Sequence, residues 1–425
     1  MLDVNNLILI GYSASWFLLL RNNSKKGRFT LSYSIIALYA ILSVITIYVF
    51  NSEYASIYYE NDITLFPLVY LFAMILLSLL PLITVREKRI KSISIPSNKY
   101  LSAFTWFFII SAIYGIIQIL PDVQSGLFVM LSDSDTITEL YETSTELRKE
   151  GMNTSATFSF LGIFSSQARA FIPFLLFINL VNPYRKKIQT LMLLIALLQA
   201  PLSGIAHASR LELISSVLMI VLLFFFFRPF LATPVKKIMI KIGFVMGVVI
   251  ATFFIIITVA RVSTAGKTST IFNFARYLGG STLVFDQYCL NANGTREGHI
   301  VAPLVLKVIG EKTLTENEIR DKYSRMRIDN SRFSTFVGDI VLDCGPYLAA
   351  ILIILFSVFC SSYLKNNGHL SFGQVIMVYL VLRFVSGFYQ YQYTFTAGNI
   401  TFVLMLLFAF CFNKLSSIKI SRLTK

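Results

Sequence analysis

"IQTLMLLIALLQAPLSGIAHASRLELISSVLMIVLLFFFF", residues 188–227, sets two apolar runs, 188–202 and 217–227, around a junction holding His207, Arg210 and Glu212. In water such a junction would be ordinary. In a bilayer, a charge at the centre of a spanning helix costs about 2.5–3.5 kcal/mol on insertion scales, so the medium decides how these residues are read. Composition settles it. The chain has 425 residues, of which 56% are hydrophobic and 14% charged, against roughly 25% charged in soluble domains. Mean hydropathy is +0.69. The apolar residues come in runs of about 20, the length a helix needs to cross a hydrocarbon core of roughly 30 Å. A helix satisfies its own backbone hydrogen bonds, which lipid cannot do, and the alternating pattern of a membrane β-barrel is absent. The expected fold is therefore an all-α polytopic membrane protein, one integral membrane domain over 1–425. About eleven spans are expected, centred near residues 11, 40, 75, 110, 168, 196, 220, 249, 355, 380 and 405. Basic residues follow the first apolar run rather than precede it, so no cleavable signal is expected.

The formal net charge is +15, a value that could indicate nucleic acid. Its distribution points elsewhere, and no nucleic-acid partner is expected. The basic stretches 21–28, 86–92, 183–187, 228–237 and 413–425 sit at the ends of apolar runs. All fall on one side if the N-terminus is outside, and the positive-inside rule makes that side cytoplasmic. His369 falls on the same side. The opposite side then carries residues 51–62, an acidic loop over 121–155 and a large late loop over 261–336. The acidic loop holds Asp122, Asp133, Asp135, Glu139, Glu142, Glu146 and Glu150 against Arg148 and Lys149. Within the large loop, residues 315–332 mix both charge signs and suit a surface helix.

The four cysteines, Cys289, Cys344, Cys360 and Cys411, lack metal-site spacing. No metal and no cofactor are expected. Cys360 and Cys411 lie in apolar runs and read as small core residues. The sequence leaves a Cys289–Cys344 bridge open, with weak support.

Ionisable residues at or inside the outer boundary are the functional candidates, since such residues in a membrane normally face a cavity or a partner. Arg210 and Glu212 begin the seventh span, with His207 one helical turn before Arg210. Arg169 lies inside the fifth span and Arg383 inside the tenth. Arg276 lies in the large loop. Glu212 is expected to pair with another span, with Arg169 or Arg383 as partner. Asp339 and Asp343 are spaced i, i+4 and share a face if helical. Gly345-Pro346 follows, and proline favours a first helical turn, so the ninth span is expected to start at Pro346. "GDIVLDCG" then becomes a short rim segment. His299 is a loop histidine, more often solvated than catalytic. Arginine's fork suits phosphate oxygens, and a lipid-linked pyrophosphate is the anion expected at this depth. Snorkelling anchors and structural ion pairs are the bland alternatives for the same residues.

The chain resembles the bacterial O-antigen and capsular repeat-unit polymerases of the Wzy type. The resemblance rests on the span number with one large late outer loop, and on three segments: "ASRLELISSVLMI" (208–220), "RYLGGSTLVFDQY" (276–288) and "FSTFVGDIVLDCGPYLAAILI" (333–353). It covers the second half of the chain best. The chain departs from the family's two-arginine, glycine-spaced loop motif, because Val221 stands eleven residues after Arg210. The resemblance implies a GT-C-like fold in the bacterial cytoplasmic membrane. It implies undecaprenyl-pyrophosphate-linked oligosaccharides as substrates, membrane lipids as surroundings and a chain-length regulator as a partner. Arg210, Arg276, Arg169 and Arg383 are then the pyrophosphate-binding candidates. Asp339, Asp343, His207 and Glu212 are the candidates for the base that takes the acceptor's proton. Two other readings stay open. An O-antigen ligase would use a histidine of the large loop, and His299 suits that. A lipid-linked oligosaccharide flippase would bind the same anion, but paired halves would be expected of it.

Overall fold

Apolar runs that must bury their backbone polarity become helices here, as expected. The computed structural model describes residues 3–24, 30–85, 87–130, 160–206, 210–245, 247–248, 252, 269–328, 333–413 and 415–422. The helices are α1 (Val4–Ser24), α2 (Leu31–Phe50), α3 (Leu65–Thr84), α4 (Asn98–Met130), α5 (Phe160–Val181), α6 (Lys187–Ala196), α7 (Gln199–Ala206) and α8 (Arg210–Phe227). After them come α9 (Thr270–Val284), α10 (Pro303–Val308), α11 (Glu316–Lys322), α12 (Thr335–Cys344), α13 (Pro346–Tyr363), α14 (Phe372–Val385) and α15 (Phe395–Asn413). Among the described residues, seven helical segments are long and apolar enough to cross a membrane: α2, α3, α4, α5, the α6–α7 pair, α13 and α15. The expected centres near 220 and 380 fall in the shorter apolar helices α8 and α14. The centre near 11 falls in α1, and the one at 249 lies outside the described residues.

Three expectations are corrected. The fourth span does not end at Pro121: α4 continues through it to Met130. Pro121 lies inside the helix, where it lacks the amide hydrogen of an ordinary residue. Residues 131–155 of the acidic loop lie outside the described residues. The segment 261–336 is not a loop throughout. It contains α9, a π-helix over Phe285–Cys289, α10 and α11. In α11 a capping box closes the first turn, Thr315 Oγ1 accepting from the Glu318 amide and Glu318 from the Thr315 amide. Finally, Cys289 and Cys344 are both free, as are Cys360 and Cys411.

The described chain divides into two compact units. The first comprises 1–90, 271–368 and 373–409. Its core stacks Trp16 of α1 on Tyr39 of α2, ring centroids 5.0 Å apart, with Phe72 of α3 edge-on at 4.7 Å. Polar groups join helices where lipid offers no partner. Ser43 donates to Ser13, Tyr39 to the Val385 carbonyl, and Ser357 of α13 to the Leu77 carbonyl of α3. Such bonds are worth about 0.6–2 kcal/mol each in a membrane. α9 comes close to α2 at Gly279, whose carbonyl accepts from Thr46 Oγ1. A Cβ at Gly279 would stand 2.8 Å from the Thr46 amide nitrogen, so no side chain fits.

The second unit comprises 91–270, 369–372 and 410–425. Phe108 of α4 stacks on Phe171 of α5 at 4.6 Å, and Phe177 of α5 on Phe227 of α8 at 5.7 Å. Against the all-helical expectation, three short strands form one sheet of order β2-β1-β3: β1 (Ser92–Pro96), β2 (His369–Leu370) and β3 (Ser416–Ser421). β1 pairs in parallel with β2 and antiparallel with β3. "SISIP" and "SSIKIS" alternate with the period of a strand. The register puts Ile93 beside Leu370 and Ile420, all buried, while Ser92 and Ser94 share the other face with His369. Both serine hydroxyls lie within hydrogen-bond distance of its ring, Ser92 at Nδ1 (2.8 Å) and Ser94 at Nε2 (3.0 Å).

Candidate functional site

In the first unit, several buried polar and ionisable side chains lie on segments that the charge pattern assigns to the outer side. Asn5, in the first turn of α1, holds the 61–63 backbone: its Nδ2 donates to the Asn61 carbonyl and its Oδ1 accepts from the Ile63 amide. Asp286, in the π-helix, accepts from the Thr64 amide and hydroxyl at 3.2–3.3 Å. Gln287 exchanges two hydrogen bonds with the Glu60 backbone. Asp286 is buried and faces no cation among the described residues. Burial pushes its carboxyl up to about 7, against the pull of the Thr64 donors.

Asp339 and Asp343 do share a face of α12, and both turn to Arg296. Arg296 Nε donates to Asp343 Oδ1 at 2.7 Å. The other Asp343 oxygen accepts from the Ile300 and Val301 amides at 2.9 and 2.6 Å. Asp343 is thus saturated, with 0% side-chain exposure. Asp339 accepts from Ser334 Oγ, from the Tyr391 amide and, at 3.5 Å, from Arg296, and 10% of its side chain is exposed. Burial raises the Asp339 carboxyl, while Arg296 and the Tyr391 amide oppose the rise. The segment breaks at Gly345, whose φ of +79° suits glycine, and Pro346 opens α13. Opposite this break, Thr335 at the start of α12 has φ +71°, a region that β-branched residues rarely adopt. Its amide bonds the Tyr389 carbonyl, and its hydroxyl accepts from the Gly338 amide.

Beside the clasp, the turn at Glu297-Gly298 presents His299, 3% exposed. Its Nε2 lies 3.5 Å from Lys322 Nζ, and its Nδ1 has no hydrogen-bond partner. Burial first, then Lys322, hold the imidazole below the usual histidine range. Glu297 accepts from Tyr323 and Lys322, which keep it below the usual carboxylate range.

The four candidate arginines differ in their surroundings. Arg276 of α9 lies flat on Tyr58, Cζ 3.7 Å from the ring centroid. Arg383 of α14 lies 5.6 Å from the Tyr393 ring centroid and bonds Tyr379, with its Nε unpartnered. Neither has a carboxylate partner among the described residues. Arg169, in the second unit, does have one. Its guanidinium donates to Glu212 and to Ser203, both at 3.1 Å, so the expected span-to-span pairing of Glu212 is with Arg169. Glu212 thereby carries a cation rather than standing open as a base. Arg210 opens α8, but its side chain and the whole of His207 lie outside the described residues.

Sequence reading missed Arg296, which orders both aspartates, and Asp286, which fixes the start of α3. Among the described residues no group of three His, Cys, Asp or Glu side chains is arranged to hold a metal ion. No family model matches the chain, and neither a characterised protein nor a solved structure matches it significantly.

Proposed function

We propose that this chain is a membrane glycosyltransferase that joins lipid-pyrophosphate-linked oligosaccharide repeat units, as the Wzy-type polymerases it resembles do. On this reading it sits in the bacterial cytoplasmic membrane with about eleven spans in a GT-C-like arrangement, N-terminus outside and C-terminus inside. The acceptor hydroxyl gives its proton to a base and forms the new glycosidic bond. The bond between the donor's anomeric carbon and its pyrophosphate breaks, and undecaprenyl pyrophosphate leaves with the electron pair.

The observation that carries the reading is Arg276, seated over Tyr58 with no carboxylate partner among the described residues. A guanidinium preorganised by an aromatic face and lacking an internal anion suits a ligand phosphate. Arg383 has the same character. Arg169 fits this role less well, being committed to Glu212. Two pairings favour the orientation. The three strands of the sheet come from segments all expected inside, and the Asn5, 60–64 and 286–287 contacts join segments all expected outside.

For the base, Asp339 is the better of the two aspartates. Asp343 has no spare exposed lone pair, whereas Asp339 keeps some exposure and a raised pKa. Arg276→Ala in membranes supplied with lipid-linked repeats should cut polymerisation roughly 100- to 1000-fold at normal protein level. Lysine should rescue poorly for want of the fork. Full polymer ladders from Arg276→Ala would reject the assignment.

A second reading has its own observation. The buried, neutral-leaning His299 with its unpartnered Nδ1 favours a ligase that passes finished polymer to a lipid A core. Product formed from repeats alone supports the polymerase, and a strict need for the core supports the ligase.

A further inference from the structure

An apolar groove of about 330 Å³ runs between the first turns of α1 and α3. Ligand pockets span roughly 300–1,000 Å³, so the groove is of a size to take a segment of one acyl chain. Val4, Leu7, Leu65, Val69 and Phe72 line it, with Tyr12 on its inner side. Its depth comes from Gly11, where an added Cβ would meet nothing within 4 Å. Val4, Leu7, Leu65 and Val69 are all exposed, and α3 is one of the helices long and apolar enough to span a membrane. The groove therefore opens towards lipid.

Two exposed carboxylates stand just before the groove's lining residues in sequence. Asp3 precedes Val4, and Asp62 lies three residues before Leu65. Asn5 ties the two ends together, donating to Asp3 Oδ2 at 3.2 Å and to the Asn61 carbonyl at 2.8 Å while accepting from the Ile63 amide. Among the described residues neither aspartate has a cation partner. Two unpaired carboxylates beside an apolar slot repel a phosphate-only headgroup and attract an ammonium. We propose that this groove binds one acyl chain of an ammonium-headed phospholipid, of the phosphatidylethanolamine class, with the ammonium between Asp3 and Asp62. The site is separate from the arginine site proposed for pyrophosphate and stands without it. The same carboxylates disfavour a polyprenyl pyrophosphate here.

Thermal unfolding of the purified full chain in detergent tests this, with added phosphatidylethanolamine and phosphatidylglycerol of matched chains, and with undecaprenyl phosphate. Wild type should gain a few degrees more from phosphatidylethanolamine than from either other lipid. Gly11→Leu, whose Cβ meets nothing within 4 Å and whose side chain projects from the groove's glycine, should lose that gain at unchanged basal stability. The double variant Asp3→Asn/Asp62→Asn changes only exposed rim residues, and it should make the first two lipids equivalent. Equal gains from all lipids in wild type, a larger gain from undecaprenyl phosphate, or an undiminished preference in both variants would overturn the proposal. Should Gly11→Leu fold poorly, the rim variant decides alone, scored by lipid retained in native mass spectrometry.

Discussion

Arg296 and Asp343, 47 positions apart, are joined Nε to Oδ1 at 2.7 Å, and both are buried. The other Asp343 oxygen holds two successive backbone amides of the segment that carries Arg296. One carboxylate therefore fastens the turn 296–301 to α12. Breaking a buried pair from one side leaves the other charge unpaired and costs about 3–5 kcal/mol. Arg296→Ala and Asp343→Ala should each lower the melting temperature and the amount of folded protein. The double variant Arg296→Met/Asp343→Leu should recover part of the loss. Wild-type melting of either single variant would show that the pair is not structural.

The two aspartates should separate in function. Asp339→Asn keeps a near-isosteric acceptor for the Tyr391 amide and removes the proton-accepting charge. Its abundance should stay near wild type while single-turnover coupling of lipid-linked repeats falls by roughly 100-fold or more. Asp343→Asn turns an amide group towards the Ile300 and Val301 donors, so its main defect should be abundance. Normal turnover in Asp339→Asn would transfer the base role to His299 or His207.

Asp286 predicts a pH dependence with a definite sign. Its folded pKa, about 7, is above the ordinary 3.8. The stability it contributes is fully present below pH 3.8 and is lost as pH rises through 7. Wild type should therefore melt lower at pH 8 than at pH 6, and Asp286→Asn should flatten that slope while keeping an acceptor for Thr64. Differential scanning fluorimetry at the two pH values reads it. An unchanged slope in the variant would assign the dependence elsewhere.

Gly279 predicts a packing defect. A Cβ there meets the Thr46 amide nitrogen at 2.8 Å and the Ile45 carbonyl carbon at 3.0 Å, both backbone atoms that cannot swing away. Gly279→Val should cost about 1–3 kcal/mol by overpacking. Gly11→Val, in open space, is the control. Equal melting of the two would mean that α2 and α9 pack less closely than described.

Orientation is open to a direct check. Alkaline phosphatase fused after residue 140 should be active, and fused after residue 187 inactive. The opposite pattern would place the aspartates and Arg276 on the side where no lipid-linked repeat is presented.

What the sequence disclosed, it disclosed through period and punctuation. The i, i+4 spacing put Asp339 and Asp343 on one face, Gly345-Pro346 marked the break before α13, and a lone Glu212 among apolar residues implied a cation on another span, which is Arg169. Arg296 was hidden because it stands in "NANGTREGH", a turn-rich stretch with no period, where an arginine reads as solvated. Its environment depends on Asn293 and Glu297 adopting φ of 57° and 54°, which residue type alone does not announce. Asp286 falls within the expected loop because α9 is short and passes into a π-helix. The strands alternated legibly, "SISIP" and "SSIKIS", but each is only one or two turns of a helix long beside runs several times its length.

That sheet has a consequence for biosynthesis. β1 lies at residues 92–96, yet its neighbours arrive at 369–370 and 416–421. While the ribosome is still translating the middle of the chain, Ile93 and Ile95 have no partner strand, and the second unit cannot close. The last strand to emerge is the one that makes the longest pairing. Closure of the sheet therefore waits for residues 416–421, and a nascent chain stalled before residue 416 should remain protease-sensitive around residues 92–96.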